Sequence, residues 1–152
     1  MSEKTTKEHL NGLEKTLDVY FAKKAPALPK GGKDFIVKVA PWLVIIGVII
    51  SLPGILTLFG IGSVASNIMM RTVGYGLGPT YYVSIILLIV VIVLELLALP
   101  GLFNRKKAGW NYIFYATLVG LLSNLIVLNL VGFVVGALIS FYFLFQVREY
   151  YK

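Results

Sequence analysis

One carboxylate, Glu95, is the side chain of this sequence whose surroundings most readily suggest chemistry. It stands in the apolar stretch 81–99, and from Val39 to Asn104 the only other charged residue is Arg71. A carboxylate in such a setting is a candidate for handling a proton or a cation. The structural alternative is a pairing of Glu95 with a side chain at similar depth: Arg105, Lys106, Tyr115 or Tyr142.

A second candidate is a run of five residues: Thr72, Val73, Gly74, Tyr75 and Gly76. The letters TVGYG also form the potassium-channel selectivity filter, in which backbone carbonyls of four loops replace the hydration shell of the ion. The placement also fits, because the run lies in the expected outer loop between the first two spans, after a candidate short helix at 63–71. However, Arg71 places a cation directly before the run, and Leu77 stands where channels usually have an acidic or amide residue. We interpret the run as a glycine-rich turn and keep ion binding there as the alternative.

Other residue types that catalysis or metal binding requires are scarce. The chain has no cysteine, and its single histidine, His9, lies in the polar N-terminal segment. Thiolate chemistry is therefore excluded, and a zinc or haem site would lack ligands. A nucleophile needs an adjacent base, and the apolar stretches offer neither a histidine nor a second carboxylate. We predict a chain that is not an enzyme and holds no metal or cofactor.

The elements that must position these residues are long apolar stretches. The 152 residues are 58% hydrophobic and 14% charged, with a mean hydropathy of +0.85, whereas a soluble domain is about 25% charged. A transmembrane helix needs about 20 mostly apolar residues. Four stretches qualify: about 39–60, 81–99, 110–127 and 130–147. The last two share a charge-free run, in which Asn124 and Asn129 bracket the expected turn.

The basic residues predict how these spans are oriented. The five segments outside the spans, taken in chain order from the N-terminal to the C-terminal one, hold eight, one, three, none and two lysines or arginines. Cytoplasmic segments are rich in these residues, so both termini are expected in the cytoplasm. The sequence therefore predicts an all-α integral membrane protein with four transmembrane helices in 39–147, between a cytoplasmic segment, 1–38, and a cytoplasmic tail, 148–152.

The N-terminal segment shows the pattern of an amphipathic helix. Leu10, Leu13, Leu17 and Phe21 recur at helical spacing, Thr5 to Glu8 fit a capping box, and Pro26 and Pro29 should end the helix. The helix is expected to rest on lipid headgroups or on the cytoplasmic loop, or alternatively to dock a partner or to self-associate. Anionic headgroups should be favoured by four lysines: Lys23, Lys24, Lys30 and Lys33.

Small residues predict where the spans pack. Residues spaced four apart form a face that lets another helix approach closely. One face holds Ala116, Gly120 and Asn124, and the other holds Gly132, Gly136 and Ser140. The two faces are expected to meet within one hairpin, or alternatively to mediate dimerisation. Pro53 and Gly54 should bend or break the first span, leaving carbonyls near 47–50 in need of a partner such as Ser51.

Taken whole, the sequence resembles a family of small, uncharacterised multipass membrane proteins of candidate-phylum bacteria. The resemblance rests on five stretches: LEKTLDVYFAKK (13–24), KVAPW (38–42), YGLGPTYY (75–82), LPGLFNRKKAGW (99–110) and GALISFYFLFQVREY (136–150). It implies the bacterial cytoplasmic membrane and no known activity. Family members are sometimes labelled chromate transporters, which nothing in this sequence supports. Small multidrug exporters are similar in architecture alone, since their glutamate lies in the first span.

Two functions remain open on these grounds. The first is a structural or accessory role, in which the spans pack against a second copy or another membrane protein. The second is passage of a cation through the 72–76 loop or past Glu95. A tetramer would favour the channel, whereas a monomer or dimer would count against it.

Overall fold

A computed structural model of the chain describes residues 3–56 and 79–152. These residues form helices and no strand, which confirms the all-α class for the described part. Helix α1, Glu3–Asp18, continues directly into six π-helical residues, Val19–Lys24. The long helices are α2 (Lys30–Leu56), α3 (Pro79–Phe103), α4 (Lys107–Ile126) and α5 (Leu130–Gln146), and a 3-10 turn, Arg148–Tyr150, follows.

Three stretches among the described residues are long and apolar enough to cross a membrane: Lys30–Leu56, Tyr82–Phe103 and Leu130–Tyr150. Their length and composition indicate a membrane protein. Helix α4 is not among them, although its 20 residues extend roughly 30 Å, the thickness of the hydrocarbon layer. It is less apolar because it contains tyrosines and two asparagines, Asn111 and Asn124. The fourth span therefore stays a prediction.

Two helices pass through prolines at which the sequence predicted a disturbance. Helix α2 is continuous across Pro53 and Gly54, so the predicted break does not occur, and the bend remains a prediction. The Ser51 hydroxyl donates to the Val48 carbonyl at 2.7 Å, within the group of carbonyls expected to need a partner. Helix α1 begins at Glu3, so the predicted capping box lies inside the helix rather than at its start.

Helix α3 continues through Pro100 to Phe103, beyond the predicted end at residue 99. Proline lacks a backbone N–H and therefore removes one hydrogen bond from the helix. Two hydrogen bonds from Asn104 stabilise the turn that follows. The Pro100 carbonyl accepts from the Asn104 backbone N–H at 3.2 Å and from its side-chain amide at 2.8 Å. Glu95 consequently lies eight residues before the helix end, roughly 12 Å, and thus deeper than the sequence suggested.

The helices alternate in direction, so that one end of the molecule gathers the start of α2, the α3–α4 loop and the end of α5. Lys33 of α2 forms an ion pair with Glu149 at 2.8 Å. The backbone N–H of Lys152 donates to the Arg105 carbonyl at 3.1 Å. We refer to this as the basic end, after the residues gathered there: Lys30, Lys33, Arg105, Lys106, Lys107, Arg148 and Lys152.

Helices α3 and α4 form the most extensive contact between two helices of the described part. At the basic end they cross at Gly101 and Gly109. A Cβ atom added to Gly101 would lie 2.4 Å from the Gly109 nitrogen, and one added to Gly109 would lie 2.5 Å from the Gly101 carbonyl carbon. No side chain fits at either position. This crossing was not predicted, because its two glycines lie on separate helices rather than four apart on one.

Candidate functional site at the basic end

Arg148 is the centre of the contacts between the N-terminal segment and the helical bundle. It follows α5 directly, and its guanidinium donates to Asp18 at 2.8 Å and also to Glu14. These carboxylates are four residues apart and therefore lie on the same face of α1. The guanidinium also lies over the Trp110 ring, 5.0 Å from its centroid. One cation thus joins α1, α4 and the end of α5.

Two further side chains of α5 bind the backbone of the segment 25–29 and of the residues before it. The Gln146 amide donates to the Phe21 carbonyl at 2.8 Å, and its oxygen accepts from the Leu28 N–H at 3.2 Å. The Tyr142 hydroxyl donates to the Pro26 carbonyl at 2.8 Å. A helix end leaves backbone groups without intrahelical partners, and α5 supplies those partners here. The N-terminal segment is therefore held by α5 at defined positions.

An aromatic cluster lies beneath these polar contacts. Trp110 is only 1% exposed, stacks on Phe114 at 5.4 Å and meets Phe145 edge-on at the same distance. Its indole N–H donates to the Leu144 carbonyl at 2.9 Å. Phe141 joins the cluster from α5 and contacts Phe21 at 5.9 Å between centroids. The cluster forms a buried apolar layer beneath the polar contacts of the basic end.

The α3–α4 loop presents three consecutive cations from a fixed backbone. Arg105 has a φ of 52°, which turns the chain sharply. The Lys106 N–H donates to the Gly101 carbonyl at 2.7 Å, and the Lys107 N–H donates to the Lys152 carbonyl at 3.0 Å. The residues after α5 are thereby attached to this loop, and the positive charges of both segments lie close together.

A charged cavity of about 360 Å³ opens at the basic end. Three cations and two carboxylates are on its wall. Lys33 is paired with Glu149, and Arg148 is paired with Asp18. Lys107, the third cation, forms no ion pair or side-chain hydrogen bond with any residue that the structure describes. Lys107 is therefore the one cation on this wall without a carboxylate partner among the described residues, whereas Arg148 has a second carboxylate in Glu14.

A second cavity, of about 230 Å³, adjoins the first and is mainly apolar. Trp110 and Tyr151 belong to the walls of both. Tyr151 is 6% exposed, and its buried hydroxyl has no hydrogen-bond partner among the described residues. Burial raises the pKa of this hydroxyl above its ordinary value, and the charge of Arg105 opposes the rise. The apolar cavity is lined by all four long helices: Ile36, Ala40, Val44, Leu102, Ile113, Thr117, Ser140, Phe143, Leu144 and Val147.

Glu95 lies away from this end, on the inward face of α3. Buried residues of α3 lie three positions before Glu95 (Ile92), three after it (Ala98) and seven after it (Leu102), so the half-buried Glu95 shares their face. None of the predicted pairings forms: no described residue makes a hydrogen bond or ion pair with Glu95. Tyr142, one of the expected partners, instead donates to Pro26. The longer helix α3 explains the difference, since it carries Arg105 and Lys106 about a turn further from the carboxylate.

The two predicted packing faces come together in part. A Cβ atom added to Gly136 would lie 3.7 Å from Leu121 of α4, and one added to Gly132 would lie 2.8 Å from the Asn124 side-chain oxygen. Ala116 is buried and Ser140 lines the apolar cavity. Space beside Gly120 is open. The described contacts of the α5 face thus run through Leu121 and Asn124 rather than through Gly120.

Other predicted residues are spread over different surroundings. The run Thr72, Val73, Gly74, Tyr75 and Gly76 lies outside the described residues. Lys23 and Lys24 are exposed, with the Lys24 ammonium 4.7 Å from the centroid of the Tyr20 ring. Lys30 is exposed at the start of α2, and Lys33 is paired with Glu149. Lipid binding by these lysines stays a prediction.

Comparison of the chain with protein-family models, with curated proteins and with solved structures gives no match. Within residues 3–56 and 79–152, no group of three metal-ligating side chains comes together. Sequence reasoning missed Gln146 and Arg148 and considered Tyr142 only as a partner of Glu95, whereas these three residues carry the contacts at the basic end. Their position was the available signal, because these three polar side chains lie in the last turns of a mostly apolar helix and directly after it.

Proposed function

We propose that the chain is a multipass protein of the bacterial cytoplasmic membrane, with four spans and both terminal segments in the cytoplasm. The alternation of eight, one, three, none and two basic residues supports this orientation. The contacts of Arg148 with Glu14 and Asp18 support an even number of spans, because they bring the two terminal segments to one end. The length of α4 is sufficient for the fourth span.

We further propose that the protein has a structural or accessory role, exerted by packing against a second copy or another membrane protein, without catalysing a reaction. The exposed outer half of α2 is the observation that carries this proposal. Only Val37 and Pro41 of its 27 residues are buried, and no residue from Trp42 to Leu56 is buried. A helix that is apolar on all sides and has few neighbours within its own chain is suited to contacts with lipid or another helix.

Cysteine cross-linking tests this packing directly, because the chain contains no native cysteine. Ile46 and Ile50 lie one turn apart on the exposed side of α2, at 51% and 60% exposure. Ile46→Cys and Ile50→Cys should give cross-linked dimers or cross-links to one other membrane protein when intact membranes are oxidised. Ala98→Cys, which is 0% exposed, is the matched control and should give none. Absence of cross-links at all three positions, with a monomer in lipid, would contradict the proposal.

A second candidate function, cation or proton passage, rests on Glu95. Its carboxylate lies on the inward face of α3, and no described residue pairs with it. Intramembrane carboxylates of this kind often mark ion or proton pathways. Purified protein in liposomes under a potassium or proton gradient tests this candidate. A flux that Glu95→Gln abolishes would favour transport over the packing role. Absence of flux in both the native protein and Glu95→Gln would leave the packing role as the better-supported function.

A further inference from the structure

Two cavities with different chemistry adjoin each other at the basic end. The charged cavity, about 360 Å³, has ionic side chains on its wall, and the apolar cavity, about 230 Å³, is an open pocket lined mainly by aliphatic and aromatic side chains. Trp110 and Tyr151 lie in both walls, which places the two spaces side by side. Together they reach the size range of ligand sites, roughly 300–1,000 Å³. A charged space beside an apolar one matches an amphiphile better than a soluble ion.

The charged cavity has donors that no described residue uses. The Lys107 ammonium lacks an ion-pair partner, and the buried Tyr151 hydroxyl lacks a hydrogen-bond partner. Helix α4 begins at Lys107 and has no acidic residue in its first turn. The positive end of its dipole lies at the cavity wall, where the Lys107 N–H already donates to the Lys152 carbonyl, and this end of the helix favours an anion. Leaving a buried donor without a partner is unfavourable, and a bound phosphate oxygen would remove that cost.

We propose that an anionic phospholipid binds at this site. Its phosphate occupies the charged cavity, where it accepts from Lys107 and from the Tyr151 hydroxyl, and one acyl chain begins in the apolar cavity. Lys33 and Arg148 keep their own carboxylates, so Lys107 supplies the neutralising charge. Basic pockets between transmembrane helices are typical places for anionic headgroups. The site lies on the bundle itself and includes only one of the four lysines that the sequence predicted, Lys33, which is paired with Glu149.

The apolar cavity decides between a lipid and a free phosphate. Phe143, on its wall, is an exposed residue of α5, and the wall also includes Ala40 of α2. The space thus lies between two helices whose outer surfaces are exposed and apolar, where an acyl chain can enter from the bilayer. A soluble phosphate would fill the charged cavity alone and would leave the apolar one empty.

Native mass spectrometry of the full chain in neutral detergent, titrated with phosphatidylglycerol or with phosphatidylcholine of equal chain length, tests the proposal. Phosphatidylglycerol should bind with one saturable site and more tightly. Because Lys107→Gln removes a charge-assisted hydrogen bond to the phosphate, it should weaken binding about tenfold. Lys106→Gln removes the same charge one residue away, outside the cavity wall, and should change affinity less than about twofold.

Three further measurements keep the proposal falsifiable if Lys107→Gln folds poorly. Lys107→Arg keeps the charge and should retain affinity within a few-fold. Tyr151→Phe, which removes only the hydroxyl, should weaken phosphatidylglycerol binding several-fold. Ala40→Leu, which narrows the apolar cavity, should weaken it as well. Equal losses in Lys106→Gln and Lys107→Gln would overturn the site in favour of diffuse attraction. Competition by millimolar glycerol phosphate, with Ala40→Leu unchanged, would overturn the lipid in favour of a soluble phosphate.

This inference does not depend on the proposed packing role, since lipid binding is measured on the purified chain. Loss of cross-linking at α2 with retained phosphatidylglycerol binding would refute only the packing role. Cross-linking with no preference between the two lipids would refute only the lipid site.

Discussion

Replacement of Gly109 by alanine should destabilise the bundle more than any other glycine-to-alanine change in α4. The added Cβ would lie 2.5 Å from the Gly101 carbonyl carbon and 2.5 Å from the Leu102 nitrogen. Both are backbone atoms, so no side-chain rotation relieves the overlap, and helices α3 and α4 must separate. Gly120→Ala in the same helix is the matched control, because the space beside Gly120 is open.

The magnitude follows from two effects. Alanine is favoured over glycine in a helix interior by about 0.8–1.0 kcal/mol; this gain applies to Gly120 and less to Gly109, which lies in the first turn of α4. Overpacking of a well-packed interior costs about 1–3 kcal/mol, and a backbone overlap belongs at the upper end. The difference between the two variants is therefore at least the packing cost, about 3 kcal/mol. At roughly 2–4 °C per kcal/mol for a chain of this size, the midpoints should differ by about 6–12 °C.

Thermal unfolding in mild detergent, followed by size-exclusion chromatography of the surviving fraction, measures this difference. Gly120→Ala should unfold at or slightly above the wild-type temperature, and Gly109→Ala clearly below it. Equal midpoints for the two variants would refute the close crossing of α3 and α4. A loss in Gly120→Ala alone would instead indicate that the predicted face of Ala116, Gly120 and Asn124 carries the packing.

Three other outcomes follow from the contacts at the basic end and in α3. Arg148→Gln should release α1 and speed tryptic cleavage after Lys15, Lys23 and Lys24 about tenfold or more, since about 1.5–3 kcal/mol of charge-assisted hydrogen bonding is lost. Arg105 has no described contacts to α1, so Arg105→Gln should leave the rate of cleavage unchanged. Burial raises the Tyr151 pKa, so the contribution of this residue to stability is complete below about pH 10 and is lost as the pH rises further. In thermal unfolding measured over a series of alkaline pH values, Tyr151→Phe should therefore lose less stability than the native protein, and an unchanged pH dependence would refute this role of Tyr151. Glu95→Leu should raise the unfolding temperature relative to Glu95→Gln, because no described residue pairs with the carboxylate; a marked loss of stability would reveal a partner.

The helical content followed from composition and periodicity. Long apolar runs fix the positions of the long helices to within a few residues, since a bilayer leaves the backbone few other ways to satisfy its hydrogen bonds. The exceptions are α2, which begins at Lys30 rather than near residue 39, and α3, whose end at Phe103 lies beyond Pro100. The sequence offered no means of seeing that Asn104 satisfies the Pro100 carbonyl twice.

The basic end could not be predicted from spacing, because its contacts join distant parts of the chain. Arg148 meets Asp18 across 130 positions, and Gln146 meets Phe21 across 125. Periodicity reports which face of one helix is apolar, but it does not report which helix ends meet. The same limit applies to Gly101 and Gly109, whose close approach depends on the angle between two helices rather than on a repeat within one.

The candidates that sequence reasoning placed first have fared differently. Glu95 lies on an inward face, as a functional or structurally paired carboxylate would require, yet its predicted partners are engaged elsewhere or lie too far along the chain. The TVGYG run, at 72–76, lies outside the described residues. The proposed lipid site instead uses Lys107 and Tyr151. Both residue types are common near a membrane interface, and only the cavities that they line distinguish these two residues.

Labelling of single cysteines at the two ends of α4 tests the four-span account most directly, since α4 is the helix whose span rests on length alone. Lys106 lies at the basic end, and Leu128, 80% exposed, lies in the turn at the opposite end. In intact cells, a membrane-impermeant thiol reagent should label Leu128→Cys and should reach Lys106→Cys only after permeabilisation. Labelling of both positions from the same side would contradict a spanning α4, and labelling of Lys106→Cys alone would reverse the proposed orientation.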